Sequence, residues 1–374
     1  MQRIIIFYIL VFLLAGCSNK INQAETGGNS NHFARGFQIK KSGDITKLTV
    51  FNPWEKAQNI SLEYFLVNKN LPVPDSLSSK KIIRTPIKNI ICLSTSHLGF
   101  IDVLNENRAV VGVSGSNYIS NADILKRINS GEIVDVGYGQ NLNYEVIVNQ
   151  HTDLVMVYGI GSEVTTYTKK LEELGIPVIM NAEYLEESPL GKAEWIKFVG
   201  ALFEKENEAG RFFDEIKSDY IALQKKVYNK TNRPKVLVGS PYKDSWWVPG
   251  GNSYLANLIS DAGGDYLGKS NLSHESYVIS FENAFVWANE ADVWINMGNL
   301  SSKNEVLSAD ERFENFKVLK DGKLFNNINK MSENGGNDFW ESGTVFPNLV
   351  LRDLITIFYP GLVEEELVYY KEIK

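Results

Sequence analysis

Two carboxylates recur in matched settings. Residues 143–159 read NYEVIVNQHTDLVMVYG and residues 280–298 read SFENAFVWANEADVWINMG. In each, a glutamate (Glu145 or Glu282) opens a short amphipathic stretch, an aspartate then heads an apolar strand, and a glycine closes it. Asp153 to Gly159 and Asp292 to Gly298 have the same length, while the glutamate-to-aspartate interval is eight residues in the first copy and ten in the second. One surface glutamate is ordinarily a solvated helix residue. Two copies of the pattern imply two similar lobes. A second set is aromatic. Tyr118, Tyr138 and Tyr158 in the first half, and Tyr242, Trp246, Trp247 and Trp340 in the second, lie in or beside loops rich in glycine and serine. Such side chains suit a large, flat, partly apolar ligand. Trp246 and Trp247 are expected to face it, since they precede Pro249-Gly250-Gly251 and a glycine-rich loop seldom buries two adjacent indoles.

Catalytic patterns are missing. The chain has no GxGxxG opening a first βα turn, no HExxH and no GxSxG, so binding is expected and catalysis is not. Of four histidines, only His97 and His274 fall on loops expected to reach a ligand; His32 is in a polar tether and His151 sits between a helix and a strand. No resident metal site or cofactor is therefore expected, although a tyrosine or histidine could ligate haem iron axially. Cys92, in the apolar run NIICLST, reads as a small buried hydrophobe with an inert thiol.

The elements that hold these residues follow a simple grammar. With 374 residues and 44% apolar composition, the chain has room for two domains with cores. Residues 1–16, MQRIIIFYILVFLLAG, place one arginine before a thirteen-residue apolar run, the pattern of a secretory signal. The sequence LAGC resembles a lipoprotein processing site, which makes Cys17 the acylated first residue of an exported, membrane-anchored protein. Residues 17–32 read as a flexible tether and residues 33–86 as a small β-rich extension. Residues 87–190, and again 233–374, alternate apolar strands with amphipathic helices, which predicts two Rossmann-like α/β lobes. Between them, residues 191–232 carry one apolar stripe and predict a single long helix, bent near Glu206 at most. Ligands of open α/β sheets bind beyond the carboxyl ends of the strands. In the first lobe this singles out Ser94, Thr95, Ser96 and His97, together with the three tyrosines.

The runs IKNIICLSTSHLGFIDVL, VVGVSG, LNYEVIVNQHTDLVMVYG, LGIPVI and PLGKAEWIKFVGALF, in this order, resemble the iron-chelate and cobalamin binding proteins of bacterial ABC importers. The resemblance covers residues 87–374. It implies capture of a ferric siderophore, haem or a corrinoid between the lobes, and docking of Glu145 and Glu282 on arginines of a permease dimer with its ATPase subunits. A sensing or storage lipoprotein without an importer is the reading of another class; it needs the cleft but not both glutamates. Loss of Arg3 with the leader leaves 37 basic against 45 acidic residues, a charge of −8 that argues against a nucleic-acid partner. The second lobe holds only Arg233, Arg312 and Arg352, too few to favour a strongly anionic catecholate complex.

Overall fold

The computed structural model describes residues 31–242 and 245–374. Cys17 and the leader lie outside the described residues. Among the described residues, no helix is long and apolar enough to cross a membrane.

Strands β1 (Phe37–Ser42), β2 (Ile45–Phe51) and β3 (Ser61–Asn68) form an antiparallel meander, and β4 (Ile82–Thr85) joins β3 in parallel. Their inward side chains, Phe37, Leu48, Val50, Tyr64, Leu66 and Ile83, belong to the same apolar core as the first lobe. Tyr64 Oη accepts a hydrogen bond from the Met180 amide at 3.1 Å. The extension is thus a wall fused to the lobe.

Two buried carboxylates fasten the chain leading into β1. Glu194 accepts from the amides of His32, Phe33 and Ala34, the last two at 2.8 and 2.9 Å. Glu186 accepts from those of Arg35 and Gly36 and from Trp195 Nε1. Asn31 is itself buried. Asn31 and His32, assigned to the tether on sequence, are therefore part of the folded body, because five successive N–H groups find acceptors there.

The first lobe runs β5 (Ile90–Cys92), α1 (Thr95–Val103), β6 (Val110–Val113), α2 (Ala122–Asn129), β7 (Val134–Asp135), α3 (Tyr144–Asn149), β8 (Leu154–Val157), α4 (Val164–Glu173) and β9 (Val178–Met180). The strands are parallel in the order β7-β6-β5-β8-β9. Strands β5, β8 and β9 are buried at every position, as expected of a sheet covered on both faces. The chain runs from β5 outward through β6 and β7 on one side and from β8 outward to β9 on the other, so the loops after β5 and β8 part there and open a crevice. Cys92 is buried at the end of β5, and burial raises its thiol pKa.

The connection differs from the sequence expectation. It comprises three helices, α5 (Pro189–Glu194), α6 (Ile196–Leu202) and α7 (Glu206–Val227), and only α7 is long, spanning roughly 33 Å at the usual rise. Glu204 takes a left-handed φ of 58° between α6 and α7, a conformation no helix continues through. The two helices meet so closely that a Cβ at Gly200 would lie 2.6 Å from that of Ala209. Helix α7 buries Ala209, Phe213, Ile216, Tyr220 and Val227 along one face.

The second lobe runs β10 (Lys235–Val238), β11 (Pro241–Tyr242), β12 (Ser245–Val248), α8 (Tyr254–Asp261), β13 (Asp265–Tyr266), β14 (Tyr277–Ile279), α9 (Phe281–Glu290), β15 (Val293–Ile295), α10 (Lys303–Ala309), α11 (Lys317–Asp321), β16 (Lys323–Asn326), α12 (Pro347–Phe358) and β17 (Lys371–Glu372). Its main sheet has the order β13-β10-β15-β16-β17, parallel except at β17, and β11-β12-β14 form a separate antiparallel sheet.

The repeated aspartates have one structural role. Asp153 heads β8, accepts from the Lys88 and Asn89 amides at 2.8 and 3.1 Å, and donates its own N–H to Asn89 O. Asp292 heads β15, accepts from the Lys235 amide at 2.8 Å and donates to Lys235 O. Each staples the entry of one parallel strand to its neighbour.

Candidate functional site: the interlobe cleft and the paired glutamates

The two glutamates share one local geometry. Asn143 caps α3 by accepting from the Val146 amide, and Ser280 caps α9 by accepting from the Asn283 amide. An aromatic residue follows each cap, Tyr144 or Phe281, and the glutamate is the second residue of the helix. Both glutamates are exposed. The two extra residues of the second copy fall within a longer helix, ten residues in α9 against six in α3, which also runs closer to its aspartate, and the cap-to-glutamate spacing is unchanged. One turn on, Val148 in the first lobe and Phe285 and Val286 in the second are exposed apolar side chains. The Glu282 main-chain N–H and the Ser280 hydroxyl, with Arg312 beyond, hold the Glu282 carboxyl below the usual range.

At the carboxyl ends of β5, β6 and β8 lies a cavity of about 220 Å³, lined by Leu93, Ser114, Tyr138, Leu142, Tyr158 and Tyr167 among others. The Tyr138 and Tyr158 hydroxyls are hydrogen-bonded at 3.0 Å. Burial, reinforced by that contact, raises the Tyr158 pKa, so the phenol stays protonated at neutral pH. Tyr184, in the turn after β9, donates its hydroxyl to Gly159 O at 2.6 Å and packs edge-on against Tyr158. A second cavity, of about 180 Å³, lies beyond Tyr184 and takes its lining from both lobes, including Tyr254 and His274 of the second.

The sequence-predicted residues divide accordingly. Ser94 and Thr95 are half-buried at the start of α1. Ser96 and His97 are buried and do not reach the ligand space, a correction to the sequence reading. Ser96 donates to Glu183 at 2.6 Å, while the His97 ring packs edge-on to Tyr158 beside the Met156 backbone. Burial pushes the His97 pKa down to about 3, so it is a neutral floor group. Tyr118, Tyr138, Trp247 and Trp340 are exposed. The backbone of Tyr242 pairs with Ser245 in the β11–β12 hairpin.

Trp246 is the second correction. It is 2% exposed, packs with Trp294, Phe313 and Phe316, and donates Nε1–H to Val238 O at 3.1 Å. Residues 245–248 form the central strand of a small sheet, where side chains alternate between faces, so only one of two adjacent indoles can point outward. Tyr167 and Tyr184 were absent from the sequence set. The loop after the strand IPVIM was the available signal for Tyr184.

The sequence model of a family described as Periplasmic binding protein matches residues 90–327. The chain belongs to the periplasmic binding protein family. An uncharacterized lipoprotein of Methanocaldococcus jannaschii is 32% identical over 313 residues, covering 80% of this chain and 72% of that protein. A second uncharacterized lipoprotein of that organism is 27% identical over 94% of this chain and 89% of its own length. Among solved structures, a periplasmic heme binding protein from Pseudomonas aeruginosa superposes with TM-score 0.59 at 15% identity, covering 77% of this chain and 98% of its own. A structure from the ABC-type Fe3+-hydroxamate transport system of Saccharomonospora viridis gives TM-score 0.52 at 18% identity, covering 72% of this chain and 92% of its own. At these identities the structures establish the shared fold.

One further residue ties the lobes of this periplasmic binding protein together. Glu341, buried in the second lobe, accepts from the Ser120 amide, the Ser120 hydroxyl and the Asn121 amide of the first, at 2.8, 3.0 and 3.1 Å. A Cβ at Gly99 would lie 2.5 Å from Glu341 O, so α1 abuts the same backbone. Burial, with Asp338 adding to it and Ser120 opposing, pushes the Glu341 pKa up to about 7 from an ordinary 4.5. The folded protein therefore binds a proton between pH 4.5 and 7 that the unfolded chain releases. Its contribution is fully present below pH 4.5 and lost as pH rises through 7, by up to about 3 kcal/mol. Denaturant melts from pH 5 to 8 should show this decline in the parent and a flatter profile in Glu341→Gln. Equal slopes in both would contradict it.

Proposed function

We propose that this protein captures an iron chelate, a ferric siderophore or haem, in the cleft between its lobes and delivers it to an ABC permease. The observation that carries the reading is the tyrosine-lined cavity at the crevice of the first-lobe sheet, where Tyr138 and Tyr158 present a paired hydroxyl edge. Exposed Trp247 and Trp340 supply further aromatic surface from the second lobe. The matched, capped and exposed Glu145 and Glu282 support docking on a two-fold symmetric permease. Cys17, acylated after export, holds the protein at the membrane. Cobalamin is the alternative ligand of the same importer type.

Titrations with ferric trishydroxamates, haemin and cobalamin, followed by tryptophan fluorescence, test this directly. Trp247→Ala should weaken the bound chelate by about 1–3 kcal/mol with unaltered melting. Trp246→Ala should lower stability by about 3–5 kcal/mol, since it empties an aromatic core. Unchanged affinity in Trp247→Ala, or failure of every chelate to bind, would count against the proposal.

A further inference from the structure

The family match begins at residue 90, so the β-rich extension lies outside the shared pattern. We propose that its β2–β3 loop, residues 52–60, forms a third wall of the cleft, and that Glu55 selects chelates bearing a cationic group. This rests on the function proposed above and names the class of ligand.

The loop is built to stay in place. The Asn52 amide donates to Ile60 O, the Ile60 amide to Asn52 Oδ1, and the Ala57 amide to Trp54 O. Pro53 is buried, and Trp54 packs against the first-lobe core. The Glu55 amide then crosses to the lobe and donates to Ile160 O at 3.0 Å. Ile160 is 56% exposed and lines the tyrosine cavity, so the loop is bonded to that cavity's rim.

Glu55 also lines the 180 Å³ cavity, whose other walls come from both lobes: Tyr184 and Glu187 on one side, Tyr254, His274 and Glu275 on the other. Tyr184 separates this space from the tyrosine cavity, its hydroxyl held by Gly159. The two cavities are thus adjoining chambers, and the extension touches both.

Their charge is one-sided. Glu163 lines the first chamber, and Glu55, Glu186, Glu187 and Glu275 line the second. Glu186 is saturated by main-chain donors and Trp195, and Glu187 faces the Arg35 guanidinium at 4.0 Å, which leaves Glu55 and Glu275 in the second chamber and Glu163 in the first. Among the described residues, no lysine or arginine lines either chamber. The half-buried Lys192 stands against the Tyr254 ring, 5.0 Å from its centroid, where Glu183 acts on its charge. Behind the tyrosines, Glu183 is 2% exposed and one of its carboxylate oxygens has no hydrogen-bond partner. A polyanion entering these chambers meets like charge, whereas an ammonium group meets acceptors.

The test uses one chelate in two charge states: a linear ferric trishydroxamate ending in a protonated amine, and the same chelate with that amine acetylated, each titrated into the full chain. The amine form should bind about tenfold tighter at low salt, a preference that shrinks at 1 M salt. Glu55→Gln should bring the ratio toward unity without changing the affinity for the acetylated form or the melting temperature. Glu275→Gln should act in the same direction. Equal affinities in the parent, or a preference untouched by Glu55→Gln, overturns the assignment and leaves the binding function standing. Failure of both chelates, haemin and cobalamin to bind overturns the function on which it rests.

Discussion

With both Glu145 and Glu282 reversed to arginine, uptake of the ligand is expected to fall to background while ligand affinity stays within about twofold of the parent. Each glutamate sits at the second position of a capped helix, exposed, with apolar Val148 or Phe285 and Val286 one turn away. A carboxylate beside exposed apolar side chains becomes desolvated when a partner closes over it, and there the loss of a charge pair commonly costs about 2–5 kcal/mol. Two reversals at matched sites place two like-charge contacts in one interface. The intact cap spacing in α9 gives Glu282 the same standing as Glu145, so each single reversal should impair uptake comparably. Neither residue lines the cavities of the cleft, which is why binding should survive. Normal uptake by the double variant at matched expression would instead favour a sensing or storage lipoprotein.

The second large effect concerns stability. Glu194→Ala should destabilise the protein by about 3–5 kcal/mol, because it removes the acceptor of three main-chain N–H groups and the partner of Lys197, which lies 2.7 Å away. The side chain is fully buried, so water cannot replace it without opening the segment. Glu194→Gln keeps an acceptor and should fall between. Denaturant unfolding measures the loss, and limited proteolysis should cut residues 31–36 faster in the Ala variant. A change below about 1 kcal/mol would show that the segment is held by its apolar contacts alone.

The lobes were legible because parallel strands buried on both faces leave continuous apolar runs such as IIC and LVMV, which no amphipathic helix imitates. The glutamate pair was legible because capping residues sit at fixed offsets, Asn143 and Ser280 two positions before each carboxylate. Trp246 was misread because a four-residue strand beside Pro-Gly-Gly has too little length to show its alternation. The carboxylate clasp was invisible for another reason. Glu186 and Glu194 act on backbone N–H groups some 150 residues earlier, and a main-chain donor has no sequence signature. Glu341 directly follows Trp340, one of the aromatic candidates, but its partners, Ser120 and Asn121, belong to the other lobe and only the fold brings them together.

The most direct measurement is the visible absorption and native mass of the full chain recovered from its own host under iron starvation. One iron-bearing chelate or haem per chain should be retained, and the Tyr138→Ala/Tyr158→Ala double variant, folded as the parent, should lose it. A retained species that contains no metal, or a chelate held equally by the double variant, would contradict capture in the tyrosine-lined cleft.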